Sequence, residues 1–158
     1  MGVEKIISGG QTGADRGGLE AAKSLGLKTG GWAPKDFRTE KGNDPSLKEF
    51  GLEATPEWDY GTRTRLNILE ADGTIIFGNP KSSGSALTIK LCRQHKKPFY
   101  VLESFSFNPA LVQVWLEAND IKTLNVAGNR ESKNAGIQEK VLNYLKTLLQ
   151  PEKDEKGG

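Results

Sequence analysis

The chain has 158 residues, with 22 basic against 20 acidic side chains, a net charge of +2, 19 glycines and a single cysteine, Cys92. That length fits one domain, residues 1–150, with mass enough for a real core. The near-neutral balance argues against general nucleic-acid binding, one cysteine excludes an internal disulfide or a cysteine-based metal cluster, and no apolar run approaches the roughly 18 residues of a membrane span.

In chain order, Val3–Ser8 reads as a short buried strand ended by glycines. Asp15–Leu25 reads as a helix with Leu19, Ala22 and Leu25 on one face and Gly26 as its stop. Thr29–Ala33 is a glycine-rich second strand. Pro34 to Tyr60 is polar and patternless, and a loop this long in a small domain is usually functional or mobile. A second helix is predicted over Thr62–Ala71, with Leu66 and Leu69 inward. Gly73–Phe77 is the clearest strand, stopped by Gly78-Asn79-Pro80. A helix over Ser85–Gln94 points Ala86, Leu87, Leu91 and Cys92 inward. Then come a strand over Pro98–Leu102, a helix over Pro109–Asn119, a strand over Thr123–Ala127, and a helix over Gly136–Leu149. Residues 151–158 form a charged tail expected to be disordered.

Five strands alternating with helices predict an α/β domain: a five-stranded parallel sheet between two helical layers. Right-handed crossovers leave few orders, of which 2-1-3-4-5 is preferred. That order puts a topological switch point between the first and third strands, where open sheets of this kind bind ligands beyond their carboxyl ends.

Two loops flank the expected switch point. In Ser8-Gly9-Gly10-Gln11-Thr12-Gly13-Ala14-Asp15-Arg16, the glycines let backbone approach a ligand, and the following helix aims N–H groups at the same spot. Thr12 and Asp15 have capping-box spacing. The adjacent pair Gly9-Gly10 does not satisfy the dinucleotide fingerprint, and no P-loop motif exists. The second loop, Gly78-Asn79-Pro80-Lys81-Ser82-Ser83-Gly84-Ser85 leading into Thr88, combines hydroxyls, glycine and a helix start as an oxyanion cradle. A third segment, Gly128-Asn129-Arg130, opens on the same side, and Arg130 can clamp a phosphate or carboxylate. Trp32, Lys35, Arg63 and Arg65 stand as lid or rim residues. No Ser-His-Asp arrangement or metal-ligand spacing is readable, and Asp15 is the best acid if the protein is an enzyme.

Three stretches, Ile7-Ser8-Gly9-Gly10-Gln11-Thr12-Gly13-Ala14-Asp15-Arg16, Gly30-Gly31-Trp32-Ala33-Pro34-Lys35 and Leu124-Asn125-Val126-Ala127-Gly128 with Arg130-Glu131-Ser132, together resemble the molybdenum cofactor carrier protein family. Ser83-Gly84-Ser85-Ala86-Leu87-Thr88 resembles that family's phosphate loop. The resemblance runs from about residue 3 to 149. It implies a Rossmann-like fold similar to the lysine-decarboxylase-like, or LOG, group, and binding of the molybdenum cofactor or a related nucleotide. Asn129 and Asn134 stand where the family pattern leads one to expect proline, which implies a looser last loop. Where the LOG phosphoribohydrolases carry a catalytic glutamate, this chain has Thr88, which cannot act as that carboxylate.

The resulting expectation is a carrier or binder of a phosphorylated small molecule. Amides of Gly10–Gly13 and Gly84–Ser85 would hold phosphate, with hydroxyls from Ser83, Ser85 and Thr88. The alternatives are a nucleotide-processing enzyme cleaving a glycosidic or phosphate bond, or a nucleotide-sensing module. Met1–Ser8 lacks the apolar stretch of a signal peptide, so a cytoplasmic location is expected. A homo-oligomer stays open, since sheet proteins of this kind often pair through helices.

Overall fold

The computed structural model describes residues 2–150, and the predicted tail 151–158 lies outside the described residues. Its elements follow the predicted alternation: β1 (Lys5–Ile7), α1 (Ala14–Leu25), β2 (Lys28–Ala33), the hairpin strands β3 (Arg38–Thr39) and β4 (Gly42–Asn43), β5 (Leu52–Ala54), α2 (Tyr60–Glu70), β6 (Gly73–Phe77), α3 (Ser83–Gln94), β7 (Phe99–Leu102), α4 (Pro109–Ala118), β8 (Thr123–Gly128) and α5 (Ile137–Leu148). The main sheet is parallel throughout and has six strands rather than five. The extra strand, β5, and the β3–β4 hairpin both lie in the stretch that looked patternless. They are two or three residues long, too short to display a period.

The strand order is β5-β2-β1-β8-β6-β7, which corrects the expected 2-1-3-4-5. The last strand does not close an edge. It enters the middle, pairing with β1 through Ile6↔Leu124 and with β6 through Ile75↔Val126. Counted instead from β6, the same sheet reads 2-1-3-4-5-6. Pairing depends on which faces and edges match in space, not on where the chain happens to start, so the expected pattern is present from a different origin. The switch point lies between β6 and β8, and all three candidate loops open at the same edge of the sheet.

Helices α1, α4 and α5 cover one face and α2 and α3 the other. The first face buries Ile6, Ile75, Phe77, Leu124 and Val126 against Val112, Leu116, Val141 and Leu145. On the other face the helices present more polar residues than expected. α2 buries Thr64, Asn67 and Ile68 and leaves Leu69 exposed, so Leu69 is not a core residue. α3 buries Ser85, Thr88 and Cys92, while Ala86 is exposed. The physical reason is the partner. Asn67 faces the β2 backbone and bonds it twice, accepting at Oδ1 from Trp32 N at 2.9 Å and donating from Nδ2 to Trp32 O at 3.0 Å. A leucine there would leave both backbone groups buried and unpaired.

Two glycines let α1 approach its neighbours. A Cβ at Gly17 would stand 2.5 Å from the Gln138 carbonyl oxygen of α5, and one at Gly18 would stand 2.7 Å from Val126 Cβ. A Cβ at Gly84 would meet nothing within 4 Å. Gly17→Ala should therefore destabilise the fold by about 1–3 kcal/mol despite its better helix propensity. Gly84→Ala should leave stability unchanged or slightly raised. Thermal melts of the two variants check the contrast, and equal melting temperatures would refute the close-packing account.

Candidate functional site

The glycine loop after β1 leaves few of its amides open. Gly10 N donates to Ser8 Oγ at 3.3 Å, Gln11 N to Asp15 Oδ2 at 3.2 Å, Thr12 N to Gln11 Oε1 at 3.0 Å, and Ala14 N to Asn129 O at 3.1 Å. The expected capping box is absent. The N-cap of α1 is Gly13 at φ 84°, where a Cβ would strike Asn129 O at 2.4 Å and Glu131 N at 2.6 Å. The helix thus starts packed backbone-to-backbone on the loop after β8, and no side chain can stand at the cap.

Asp15 instead turns its carboxylate back under the loop, 4 % exposed. Its Oδ2 also faces Arg63 Nη1 at 3.4 Å. Burial pushes the Asp15 carboxyl above its ordinary range, and the Arg63 guanidinium, the Gln11 and Gly9 amides and the charge of Arg130 reduce that rise without cancelling it. Arg63 lies so close over Gly9 that a Cβ there would meet its Nη1 at 2.0 Å. A side chain at position 9 would have to push this guanidinium aside, a demand separate from ligand approach.

The second loop is different. Helix α3 begins two residues earlier than expected, at Ser83, with Ser82 as an N-cap that makes no side-chain cap. The Ser83, Gly84 and Ser85 amides point from the first turn with no acceptor among the described contacts. Ser85 is 1 % exposed and its Oγ has no partner, whereas Thr88 Oγ1 is spent on Gly84 O at 2.9 Å. Two further buried donors at this edge lack acceptors, Gln11 Nε2 and Arg63 Nε.

Asn129 ties the loops together, where the resemblance implied slack. Its Oδ1 accepts from Asn79 N at 2.8 Å and from Asn134 Nδ2 at 3.1 Å, and its Nδ2 donates to Asn79 O at 3.1 Å and to Ser82 Oγ at 3.0 Å. A side-chain amide here does more than a proline ring could. Gly78 is left-handed at φ 97°, with a Cβ position 2.2 Å from Asn129 Oδ1, so glycine is required for that tie.

The segment between β2 and α2 folds over this edge. Glu40 accepts hydrogen bonds from Thr12 Oγ1, from Ser132 Oγ and from Ser132 N, and its own N–H donates to Gln11 Oε1 at 2.8 Å. Arg16, a predicted ligand residue, points outward to Glu20 at 3.0 Å and Asp44 at 3.2 Å and holds the same segment down. Beside these contacts is a cleft of about 160 Å³ lined by Gly10, Thr12, Thr39, Asp44 and Gln138. A wider groove of about 480 Å³ lies between Phe105–Pro109 and α5 and brings no convergent set of charged groups together.

Of the predicted rim residues, Trp32 is fastened by its indole N–H to Glu70 at 2.9 Å, Lys35 lies 5.4 Å from the exposed Trp58 ring, and Arg65 faces solvent. Arg63 and Arg130 converge on Tyr60, and so does Arg38. Arg38, Glu40 and Tyr60 escaped sequence reasoning because their segment has no period. The arginine-rich start of α2 was the one available signal.

A model of the circularly permutated YpsA SLOG family matches residues 6–149. A solved structure, the "Putative molybdenum carrier protein" of Syntrophus aciditrophicus SB, is similar at 37 % identity over 93 % of this chain and 95 % of that one, with a TM-score of 0.86. The E-1-hydroxy-2-methyl-but-2-enyl-4-diphosphate reductase of Plasmodium falciparum matches at 15 % identity over 90 % of this chain and 52 % of that one, and its TM-score of 0.40 is too low to bear on function. No curated protein matches.

Burial raises the Glu40 carboxyl pKa, but the bonds from Ser132 and Thr12, with the charge of Arg130, outweigh burial and set it below the ordinary value. A depressed acid stabilises the fold fully above its unfolded pKa and loses that contribution as pH falls through the folded one. The amide protection of residues 34–59, taken relative to the intrinsic exchange rate at each pH, should therefore fall in acid below the usual glutamate range. Glu40→Ala should show the faster exchange already at neutral pH, at a cost of about 1–2 kcal/mol of local stability. Equal protection in the variant and the parent at neutral pH would show that Glu40 does not hold the segment.

Proposed function

The chain belongs to the circularly permutated YpsA SLOG family, and on that premise we propose that it binds and carries a phosphate-bearing small molecule at the carboxyl edge of its sheet. The carrying observation is the set of donors with nothing to donate to. The Ser83, Gly84 and Ser85 amides, the buried Ser85 hydroxyl and Gln11 Nε2 find no acceptor at an edge where Asp15, Glu40, Thr88 and Asn129 are all engaged. Leaving the two buried ones, Ser85 Oγ and Gln11 Nε2, unmatched costs free energy, and a tetrahedral oxyanion at the helix start would satisfy several of these donors at once. The molybdenum cofactor, a pterin with a terminal phosphate, is the reading that the likeness to the molybdenum carrier protein favours. Ser83, Gly84 and Ser85 would hold its phosphate, and the cofactor itself would supply the metal and its ligation. Cys92 takes no part, since it is buried below α3 with its thiol raised by burial despite a bond to Thr74.

Native mass spectrometry and equilibrium binding test the proposal. Molybdopterin or a nucleotide should bind, and Ser85→Ala or Gly84→Asp should weaken binding at least about tenfold, the equivalent of one lost charged hydrogen bond or an added repulsive charge. No affinity for molybdopterin or any nucleotide would end this reading.

A second reading rests on Asp15. A buried carboxyl with a raised pKa, 3.4 Å from an arginine and beside a ligand edge, has the makings of a general acid or base. Where the similar LOG phosphoribohydrolases carry a catalytic glutamate stands Thr88, whose hydroxyl is tied to Gly84, so Asp15 would have to do this work alone. Product detection across a nucleotide panel separates the two readings. Turnover abolished by Asp15→Asn favours the enzyme, and binding without turnover favours the carrier.

A further inference from the structure

Tyr60, the first residue of α2, has three guanidinium groups around its ring. Arg38 lies 4.8 Å from the ring centroid, Arg63 5.3 Å and Arg130 5.4 Å. They arrive from three separate segments: the β3–β4 hairpin, α2, and the loop after β8. Cation–π contact accounts for each singly, but three like charges around a neutral ring repel one another. The start of α2 adds the positive end of its dipole.

The donors of these groups are largely unspent. Arg38 gives one bond, from Nη1 to Trp58 O at 2.9 Å. Arg63 gives one long contact to Asp15, and its Nε is buried without an acceptor. The Arg130 guanidinium makes no hydrogen bond or ion pair with any described residue. Local carboxylates do not balance the three charges. Asp15 is shared with the amides of its own loop, Glu40 is committed to Thr12 and Ser132, and Asp59 caps α2 through Thr62. What is missing from this arrangement is an acceptor-rich anion that matches planar, forked donors.

The cage and the start of α3 are neighbours. Arg130 directly follows Asn129, whose Nδ2 reaches Oγ of Ser82 at the N-cap position of α3, and Gly61, next to Tyr60, faces Leu87 of α3. We infer that Arg38, Arg63 and Arg130 form a second oxyanion subsite around Tyr60, so that the ligand carries two phosphate groups: one at the amides of α3, the other in the arginine cage. The inference builds on the phosphate reading of α3 and narrows it to organic diphosphates and bisphosphates, so that of the ligands proposed above it favours a nucleotide over the pterin with its single terminal phosphate. Because Arg38 belongs to the segment clasped by Glu40, the second phosphate would also hold that segment closed.

Tungstate, a tetrahedral oxyanion with a strong anomalous signal, is the probe. The full chain should take up two equivalents in a calorimetric titration, and soaked crystals should show two anomalous peaks, one at the start of α3 and one beside Tyr60. Arg130→Gln, which breaks no described bond, should lose the Tyr60 peak and one equivalent, and Arg38→Gln should weaken that equivalent at least tenfold. A single peak at α3 in the parent protein, or a second equivalent that survives both substitutions, would overturn the inference. A peak beside Tyr60 alone would uphold the cage and refute the phosphate reading of α3. Absence of both peaks would refute the two together.

Discussion

The carboxyl edge of this sheet is organised by one buried charge. Asp15 sits where a glycine loop and a helix start would otherwise receive a ligand anion, and it takes the Gln11 amide and Arg63 for itself. Once that carboxylate fills the loop, the remaining geometry follows. Arg63 is drawn over Gly9, the start of α2 is pinned above β1, and the free positive ends are left elsewhere, at α3 and around Tyr60. The cost of burying Asp15 appears as its raised pKa.

A side-chain amide performs the second organising task. Asn129 holds the loops after β6 and β8 in register with three bonds, and glycine at position 78 is the space that allows it. These two loops belong to adjacent strands on either side of the switch point, so Asn129 sets the separation between the Arg130 side of the site and the start of α3. On the other flank the segment between β2 and α2 is fastened by Glu40 and Arg16 rather than left loose. The site is thus built by polar ties between loops, over a core whose rigidity comes from ordinary apolar packing of α1 and α5 on the sheet.

Membership of a circularly permutated family explains why the strand order differs from the simplest expectation while the binding edge does not. Moving the chain origin renames strands but leaves their carboxyl ends on one side. For that reason loops chosen as a pair across the wrong strands still converge, with β8 between them.

By itself the sequence determined the alternation of strands and helices, the parallel sheet, and the three loops that meet at its edge. Those properties follow from local periodicity and from glycine and serine punctuation, which act over a few residues. It did not determine the strand order, the short strands of residues 38–54, or the roles of Arg38, Glu40 and Tyr60. Nor did it show that the first glycine loop is occupied by Asp15 while the start of α3 stays open. Each of these depends on partners many positions distant: Glu40 on Ser132, Arg63 on Asp15, and Arg130 on Tyr60. No local pattern encodes which distant group will satisfy a donor or share a ring. Only the folded chain brings them within reach.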